Sequence, residues 1–373
     1  MSIHINQSGP VPIYVQLAEQ CRARIESGIW PPGMRLPSEP ALAREHGISR
    51  GTVRQAMQLL ANAGLVERRQ GKGTFVAVPA AQPANRLLGA LLPYKHDLLT
   101  LDILAGVEQA ARAHGYHVIF SPAGEQRIDP IEVAQMRAKG VGGLVIFPPS
   151  NTAHDEAIAR LQAEGVPLVL VDRYLPGLAT DYVVADNLDG GYQATRHLIA
   201  CGHARIGFLT PSGLQTTSVR DRFMGYRRAL AEADLPYDEA LFLWYREGLM
   251  QPDPELAALC DYLAAPQRPT AIFAVTDLLA IRVLDAAQRV GLRVPLDLAL
   301  VGYDDIRAAQ LGVPLTTVAQ PRTAIGQRAG EILLERLYGL RTEPAHVVLP
   351  VRLVVRQSCG ANARAHPEAG IAR

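Results

Sequence analysis

The chain has 373 residues, is 48% hydrophobic and carries a formal net charge of +1, so it has material for a small domain plus one or two larger ones, and disorder is not its default state. No apolar run approaches the ~20 residues of a membrane span, and the first residues form neither a basic nor a hydrophobic signal segment. The four cysteines (Cys21, Cys201, Cys260, Cys359) show no CxxC pair and no Cys–His ligand spacing, so neither structural zinc nor a disulfide framework is expected, and a reducing cytoplasm is the simplest home.

The charge is uneven. Residues 1–78 hold nine Lys/Arg against five Asp/Glu, a net of +4, which leaves −3 for residues 79–373. A basic head on a mildly acidic body suits a reader of nucleic acid whose larger part does something else. In chain order, residues 11–27 place Val15, Leu17, Ala18, Cys21 and Ile25 at roughly helical spacing, with Pro12 in a first turn and Gly28 to Gly33 ending the helix. Ser38 caps a second helix carrying Ala41, Leu42 and Ala43, and Gly47 breaks it. Ser49 caps a third, which puts Val53, Met57, Leu60 and Ala61 on one side and Arg50 and Arg54 on another. The runs from Leu65 to Arg69 and from Thr74 to Val76 read as a two-stranded ribbon, with a basic tip Gln70-Gly71-Lys72-Gly73. This is the order of a winged helix-turn-helix, with the third helix in the major groove and duplex DNA as partner. Residues 79–86 read as a proline-bearing linker.

From Leu87 the texture changes. Apolar runs at 87–93, 117–120, 143–148, 167–171, 205–210, 241–245, 271–275 and 298–303 alternate with helical segments at 102–114, 154–164, 188–200, 222–233, 255–264 and 278–290. Strands buried on both faces and joined through helices predict an α/β fold with parallel sheets and right-handed crossovers. Ligands on such sheets bind at the carboxyl ends of the strands. The length of this region, residues 87–359, exceeds what one open sheet needs, so two lobes with a cleft between them are expected. The tail, 360–373, is small and polar and is expected to be disordered.

The ordered residues of the head resemble the GntR family of bacterial transcription regulators. They include Pro12-Ile13-Tyr14, Leu36-Pro37-Ser38-Glu39, Ser49-Arg50, Thr52-Val53-Arg54, Gly64-Leu65 and Gly71-Lys72-Gly73-Thr74-Phe75. That resemblance implies Arg50 and Arg54 on guanines, Ser49 and Thr52 on phosphates, and Gly71 with Gln70, Lys72 and Gly73 in the minor groove, with Ser38 and Gly51 as further DNA-binding residues. One position departs from the pattern. Pro40 stands where the family carries a DNA-contacting arginine, so that contact is either lost or supplied by Arg35 or Arg44.

The body resembles the effector domain of the LacI family, which has the fold of periplasmic sugar-binding proteins. The stretches that carry the likeness include 106–120, 140–150, 165–173, 186–210, 222–230, 269–306 and 315–337. A GntR head on a LacI-type body is the arrangement of AraR-type arabinose repressors. The resemblance implies a homodimeric repressor on a near-palindromic operator, released by a small molecule, with effector contacts at Asp97, Arg173, Arg222, Thr276, Asp277, Asp304 and Gln320. Carboxylates accepting from paired hydroxyls and guanidinium groups donating to oxygens suit a sugar. A pentose, a hexose, another polyol or a nucleobase-like compound all remain open, and Thr276 replaces the asparagine usual beside Asp277. Tyr94, Phe147, Tyr174 and Trp244 are candidates to stack on a sugar face. The short minor-groove helix of LacI relatives is replaced here by the linker.

Other classes fit less well. A pyridoxal-phosphate body needs a Schiff-base lysine, and Lys72, Lys95 and Lys139 lack the surrounding pattern. The glycines around Val141 precede their strand rather than follow it, the wrong side for a dinucleotide fingerprint. There is no GxSxG nucleophile elbow following a strand, and HExxH and P-loop motifs are absent. Neither catalysis nor a cofactor is expected. A freestanding sugar-transport component does not account for the head.

Overall fold

The structure, a computed structural model, describes residues 11–31, 33–69, 73–76, 85–93, 98–123, 127–150, 155–211, 213–245 and 253–361. The wing-tip residues Gln70, Gly71 and Lys72, most of the expected linker, Tyr94, Asp97 and the tail from 362 lie outside the described residues. By contact the chain divides into two compact units, Met1–Ala84 with Leu334–Glu343, and Asn85–Leu333 with Pro344–Arg373.

The head has three helices, α1 (Ile13–Glu26), α2 (Glu39–His46) and α3 (Arg50–Asn62), followed by an antiparallel ribbon of β1 (Val66–Arg69) and β2 (Gly73–Val76). The caps are those expected from sequence. Ser38 Oγ accepts from the Ala41 amide at 3.3 Å, and Ser49 Oγ accepts from the Thr52 amide at 3.0 Å. Gly47 ends α2 with φ +64°, a left-handed conformation that costs glycine little. Leu17 and Cys21 of α1, Leu42 of α2, and Val53, Ala56, Met57 and Leu60 of α3 close a core under Val66 and Val76 of the ribbon. Each fully buried aliphatic side chain contributes about 1.5–3 kcal/mol. Ala56, and not Ala61, completes the buried stripe of α3, because residues 53, 56, 57 and 60 share one face at 3.6 residues per turn. Burial pushes the Cys21 thiol up to about 12.

The second unit has two α/β lobes. In the first, the order is β3 (Leu87–Pro93), α4 (Leu98–Ala113), β4 (His117–Ala123), α5 (Pro130–Ala138), β5 (Val141–Ile146), α6 (Glu156–Ala163), β6 (Leu168–Val171) and β7 (Asp181–Ala185). The chain then enters the second lobe through α7 (Asn187–Ala200), β8 (Ile206–Thr210), α8 (Thr217–Glu232), β9 (Phe242–Trp244), α9 (Pro254–Ala264), β10 (Ala271–Ala274), α10 (Asp277–Arg289), β11 (Ala299–Asp304) and β12 (Thr316–Ala319). It returns to the first lobe with α11 (Arg322–Leu337) and β13 (His346–Leu349), and ends in the second with β14 (Arg352–Val354). The sheets run β13-β7-β6-β5-β3-β4, all parallel, and β14-β12-β11-β10-β8-β9, parallel except for β14. The lobes are therefore joined by three segments, at 185–187, 319–322 and 349–352.

Several elements went unread in the sequence: α5, β7, β12, β13, β14 and α11 as a helix. The strands among them are short or carry polar residues, as in the Thr316-Thr317-Val318-Ala319 run of β12, so they lack the apolar signature. The helix expected at 222–233 starts at Thr217, which moves Arg222 from an opening position into its second turn. The lobes are also packed more tightly than strand spacing alone suggests. A Cβ on Gly191 of α7 would collide with the Arg222 carbonyl, and one on Gly225 of α8 would collide with the Leu188 carbonyl. The two helices therefore touch backbone to backbone, and this contact sets the depth of Arg222. The cysteines need a correction too. His197 of α7 and Cys201, which caps its C-terminus, stand four residues apart, a Cys–His spacing after all, and the fold brings Cys359 beside them.

Candidate functional site

In the head, the residues expected to meet DNA cluster around the start of α3. Arg50, Gly51 and Arg54 are exposed, and Ser49 shares a 2.8 Å hydrogen bond with the Thr52 hydroxyl while capping the helix. Arg54 is not loose. Its Nε donates to Glu39 Oε2 at 3.3 Å, and Arg68 of the wing donates to the other oxygen of Glu39 at 3.2 Å. Glu39 thus ties α2, α3 and the wing into one surface, a role not read from sequence. Its signal was available, as an acidic residue at the first helical position beside a basic face. The two candidates to replace the arginine missing at Pro40 differ in place. Arg44 folds back to donate to the Pro40 carbonyl at 3.3 Å. Arg35 lies against Gly73 at the base of the wing, where an added Cβ would come within 3.0 Å of its Nε, and Gly73 itself holds φ +114°. Arg35 is thus a cation beside Gly73 of the ribbon.

In the second unit, the carboxyl ends of the strands from both lobes line one cleft. It encloses a cavity of about 170 Å³. A cavity near 150 Å³ is known to admit a benzene ring, so a single five- or six-membered ring fits.

Lobe one contributes Phe147, Ser150, Asp172 and Arg173. The Arg173 guanidinium donates to Asp172 Oδ2 at 3.0 Å and to Ser150 Oγ at 2.8 Å, and lies 4.6 Å from the Phe147 ring centre. Lobe two contributes Thr216, Ser218, Arg222, Thr276, Arg282 and Asp304. Arg222 is 4% exposed, and three groups hold it: Asn187 Oδ1 accepts at 2.8 Å, the Val275 carbonyl accepts at 2.6 Å, and the Tyr303 ring lies 3.6 Å beneath it. A buried cation fixed in this way is costly to desolvate but needs little reorganisation to meet a ligand oxygen. Asp304 ends β11 at φ +112° and accepts from Gln320 Nε2 at 2.6 Å, while its carbonyl accepts from Arg322, which in turn pairs with Asp102 at 2.8 Å. An aspartate in this part of backbone space is strained, and such strain collects at ligand sites.

The expected effector residues divide accordingly. Arg173, Arg222, Thr276 and Asp304 come together in the cleft, and Asp97 lies outside the described residues. Gln320 does not line the cleft and reaches it through Asp304. Asp277 is misplaced by the sequence reading. Thr276 caps α10 with its hydroxyl, so the next side chain turns away from the cleft, where Asp277, 1% exposed, accepts from Thr317 Oγ1 at 2.6 Å and from the Ile306 amide at 2.7 Å. Burial pushes its carboxyl up to about 7 against those two hydrogen bonds. Of the aromatic candidates, Phe147 lines the cleft, Tyr174 stacks on Tyr182 at 4.8 Å, and Trp244 is half-exposed on the edge strand. Asp172, Ser150 and Ser218 were missed, because short polar residues after a strand look the same whether they cap, turn or bind.

A winged helix-turn-helix and a two-lobed, cleft-bearing sensor on one chain define a one-component transcription regulator. Comparison with known proteins specifies the family. Residues 13–76 match the bacterial regulatory proteins of the gntR family, and residues 195–359 match the periplasmic binding protein-like domain. The chain is 31% identical over 360 residues to the arabinose metabolism transcriptional repressor of Geobacillus stearothermophilus, covering 93% of this chain and 98% of that one. Among solved structures, a CelR–cellobiose complex aligns with TM-score 0.65 and 28% identity over 87% of this chain and all of the other. A LacI family regulator from Enterococcus faecium with bound ribose aligns with TM-score 0.62 and 25% identity, over 73% of this chain and 98% of that one. The chain belongs to the GntR family of bacterial regulators, in the branch with a LacI-like sensor, and is a ligand-modulated transcriptional repressor. Among the described residues, no helix is long and apolar enough to cross a membrane.

Proposed function

We propose that the protein is a cytoplasmic, homodimeric repressor with no catalytic activity, and that its effector is a monosaccharide, with arabinose the first candidate. The observation that carries this reading is the fixed, buried Arg222, which lines a cavity the size of one sugar ring together with Asp304 and Arg173. Guanidinium groups donate to ring and hydroxyl oxygens, and Asp304 and Asp172 accept from hydroxyls. Phe147 offers an apolar face. The arabinose and ribose named for two relatives point the same way, cellobiose in a third is a disaccharide, and the small cavity favours a single ring.

In this reading Arg50 and Arg54 read bases in the major groove, Ser49, Thr52, Ser38 and Gly51 position the helix on phosphates, Arg35 and Arg44 add phosphate contacts, and the wing from Gln70 to Gly73 enters the minor groove. Two heads on a dimer read half-sites about one helical turn, ~34 Å, or a multiple of it apart. The sugar binds both lobes at once and so favours one arrangement of the three joining segments, which is the differential affinity that a switch requires. Coupling of about 1–3 kcal/mol is typical and amounts to a 5–150-fold change in operator affinity.

The test is a calorimetric titration with aldopentoses, aldohexoses, cellobiose and purine bases, paired with a gel shift on promoter fragments from the protein's own genomic neighbourhood. A monosaccharide that binds and weakens the shift supports the proposal. Binding by a purine base alone, or by no sugar, overturns the ligand class. A chain that ignores DNA at low salt overturns the whole reading.

A further inference from the structure

The second lobe carries a cluster that the cleft does not use. His197 and Cys201 lie one turn apart at the C-terminal end of α7, with Nε2 and Sγ 3.8 Å from each other. Cys359 comes from the segment after β14. Its thiol accepts a hydrogen bond from Thr316 Oγ1 at 3.2 Å, and the three ligand atoms all lie within 4.8 Å of one another. Both thiols are buried and His197 is half-buried. None of the three lines the effector cleft.

These distances match a coordination sphere. Zinc takes nitrogen at ~2.0–2.1 Å and sulfur at ~2.3 Å, so tetrahedral geometry separates a nitrogen and a sulfur ligand by about 3.6 Å and two sulfurs by about 3.8 Å. The His197–Cys201 pair already stands near that spacing, and the Cys359 sulfur needs to close by at most about 1 Å, within reach of a side-chain rotation. Two thiolates with one imidazole form a soft donor set that selects a thiophilic cation over magnesium or calcium. The Thr316 hydroxyl supplies the outer-shell hydrogen bond that holds one sulfur in place.

We propose that His197, Cys201 and Cys359 form a zinc(II) site with water in the fourth position. Binding replaces the two thiol protons, which pass to solvent, and leaves the imidazole neutral. The ion then fastens α7 to the C-terminal strap. That strap already locks the second sheet through Ser358, whose hydroxyl donates to the Leu300 carbonyl at 2.6 Å and accepts from the Thr316 amide at 2.8 Å. Because β12 leads from Thr316 into the segment joining the lobes, the staple stiffens the base of the hinge without touching the effector.

The test uses the full chain, reduced and stripped with chelator, titrated with zinc(II) against a chromophoric competitor and separately with cobalt(II). One equivalent is expected, with a thiolate-to-cobalt charge-transfer band. Cys201→Ser and Cys359→Ser should each weaken uptake by at least ~100-fold, beyond what loss of an outer-shell partner costs, while Cys260→Ser leaves it unchanged. In the unmutated protein, zinc should shield Cys201 and Cys359 from alkylation, mapped by mass spectrometry, and leave Cys260 reactive. That measurement does not depend on the variants folding. Failure of the reduced protein to take up zinc, or uptake that survives both serine substitutions, overturns the proposal. So does a Cys201–Cys359 disulfide that forms readily while the reduced protein ignores zinc, which would make the pair a redox element instead.

Discussion

Replacing Arg222 with methionine separates its two roles. The side chain keeps its length but loses the donors to Asn187 Oδ1 and to the Val275 carbonyl, at 2.8 and 2.6 Å. Two buried acceptors left without their donor cost about 1–3 kcal/mol each. Against this, the variant no longer buries a cation, which by itself returns several kcal/mol. The net expected loss is about 1–3 kcal/mol, or roughly 2–10 °C in the melting temperature of a domain this size. Effector binding should fall further, because a hydrogen bond from a charged donor contributes about 1.5–3 kcal/mol, a 10–150-fold change in affinity. Differential scanning fluorimetry measures the first effect, and calorimetry with the responsive sugar measures the second. Operator binding without sugar should stay within twofold of the unmutated protein. If the melting temperature falls as expected but sugar affinity holds, Arg222 is a structural cation and the contact assigned to it is wrong.

Other outcomes follow from the same geometry. Arg54→Ala should cost about 1–3 kcal/mol of operator discrimination and leave sugar affinity intact, which competition gel shifts with point-mutated operators would measure. Glu39→Gln weakens the anchor shared by Arg54 and Arg68, so the same assay should show relaxed base preference with undiminished binding to non-specific DNA. Gly225→Ala sets a methyl against the Leu188 carbonyl and should destabilise the second unit by about 1–3 kcal/mol, with a matching loss of sugar affinity as Arg222 shifts. For Asp277, burial raises the folded carboxyl to about 7, above its ordinary value near ~3.9. The folded state therefore holds the proton more tightly than the unfolded chain. The stability this provides is complete below about pH 4 and disappears as pH rises to 7, at most about 4 kcal/mol in all. Asp277→Asn should flatten that slope in urea unfolding at pH 5 to 8, and a slope as steep as the parent's would assign it to another group.

The head was legible from sequence because it is local. The capping serines, the breaker Gly47 and the stripe from Val53 to Leu60 each act within a few residues, where helical period and side-chain chemistry decide the outcome. The buried strands were legible too, since a strand covered on both faces must be apolar throughout, as in Leu168–Val171. Tertiary structure alone decided the rest. Thr276 and Asp277 are neighbours, yet the capping hydrogen bond of one turns it to the cleft and sends the other into the core beside Thr317. Arg222 lies deep because Gly191 and Gly225 let two helices meet at their backbones, a contact no period encodes. Arg54 and Arg68 share Glu39 from three separate elements, and Cys359 reaches His197 only after the chain has crossed to the first lobe and back. Residues near in sequence declare their local geometry, whereas the side chains that must converge on a ligand or an ion are chosen by the packing of distant segments.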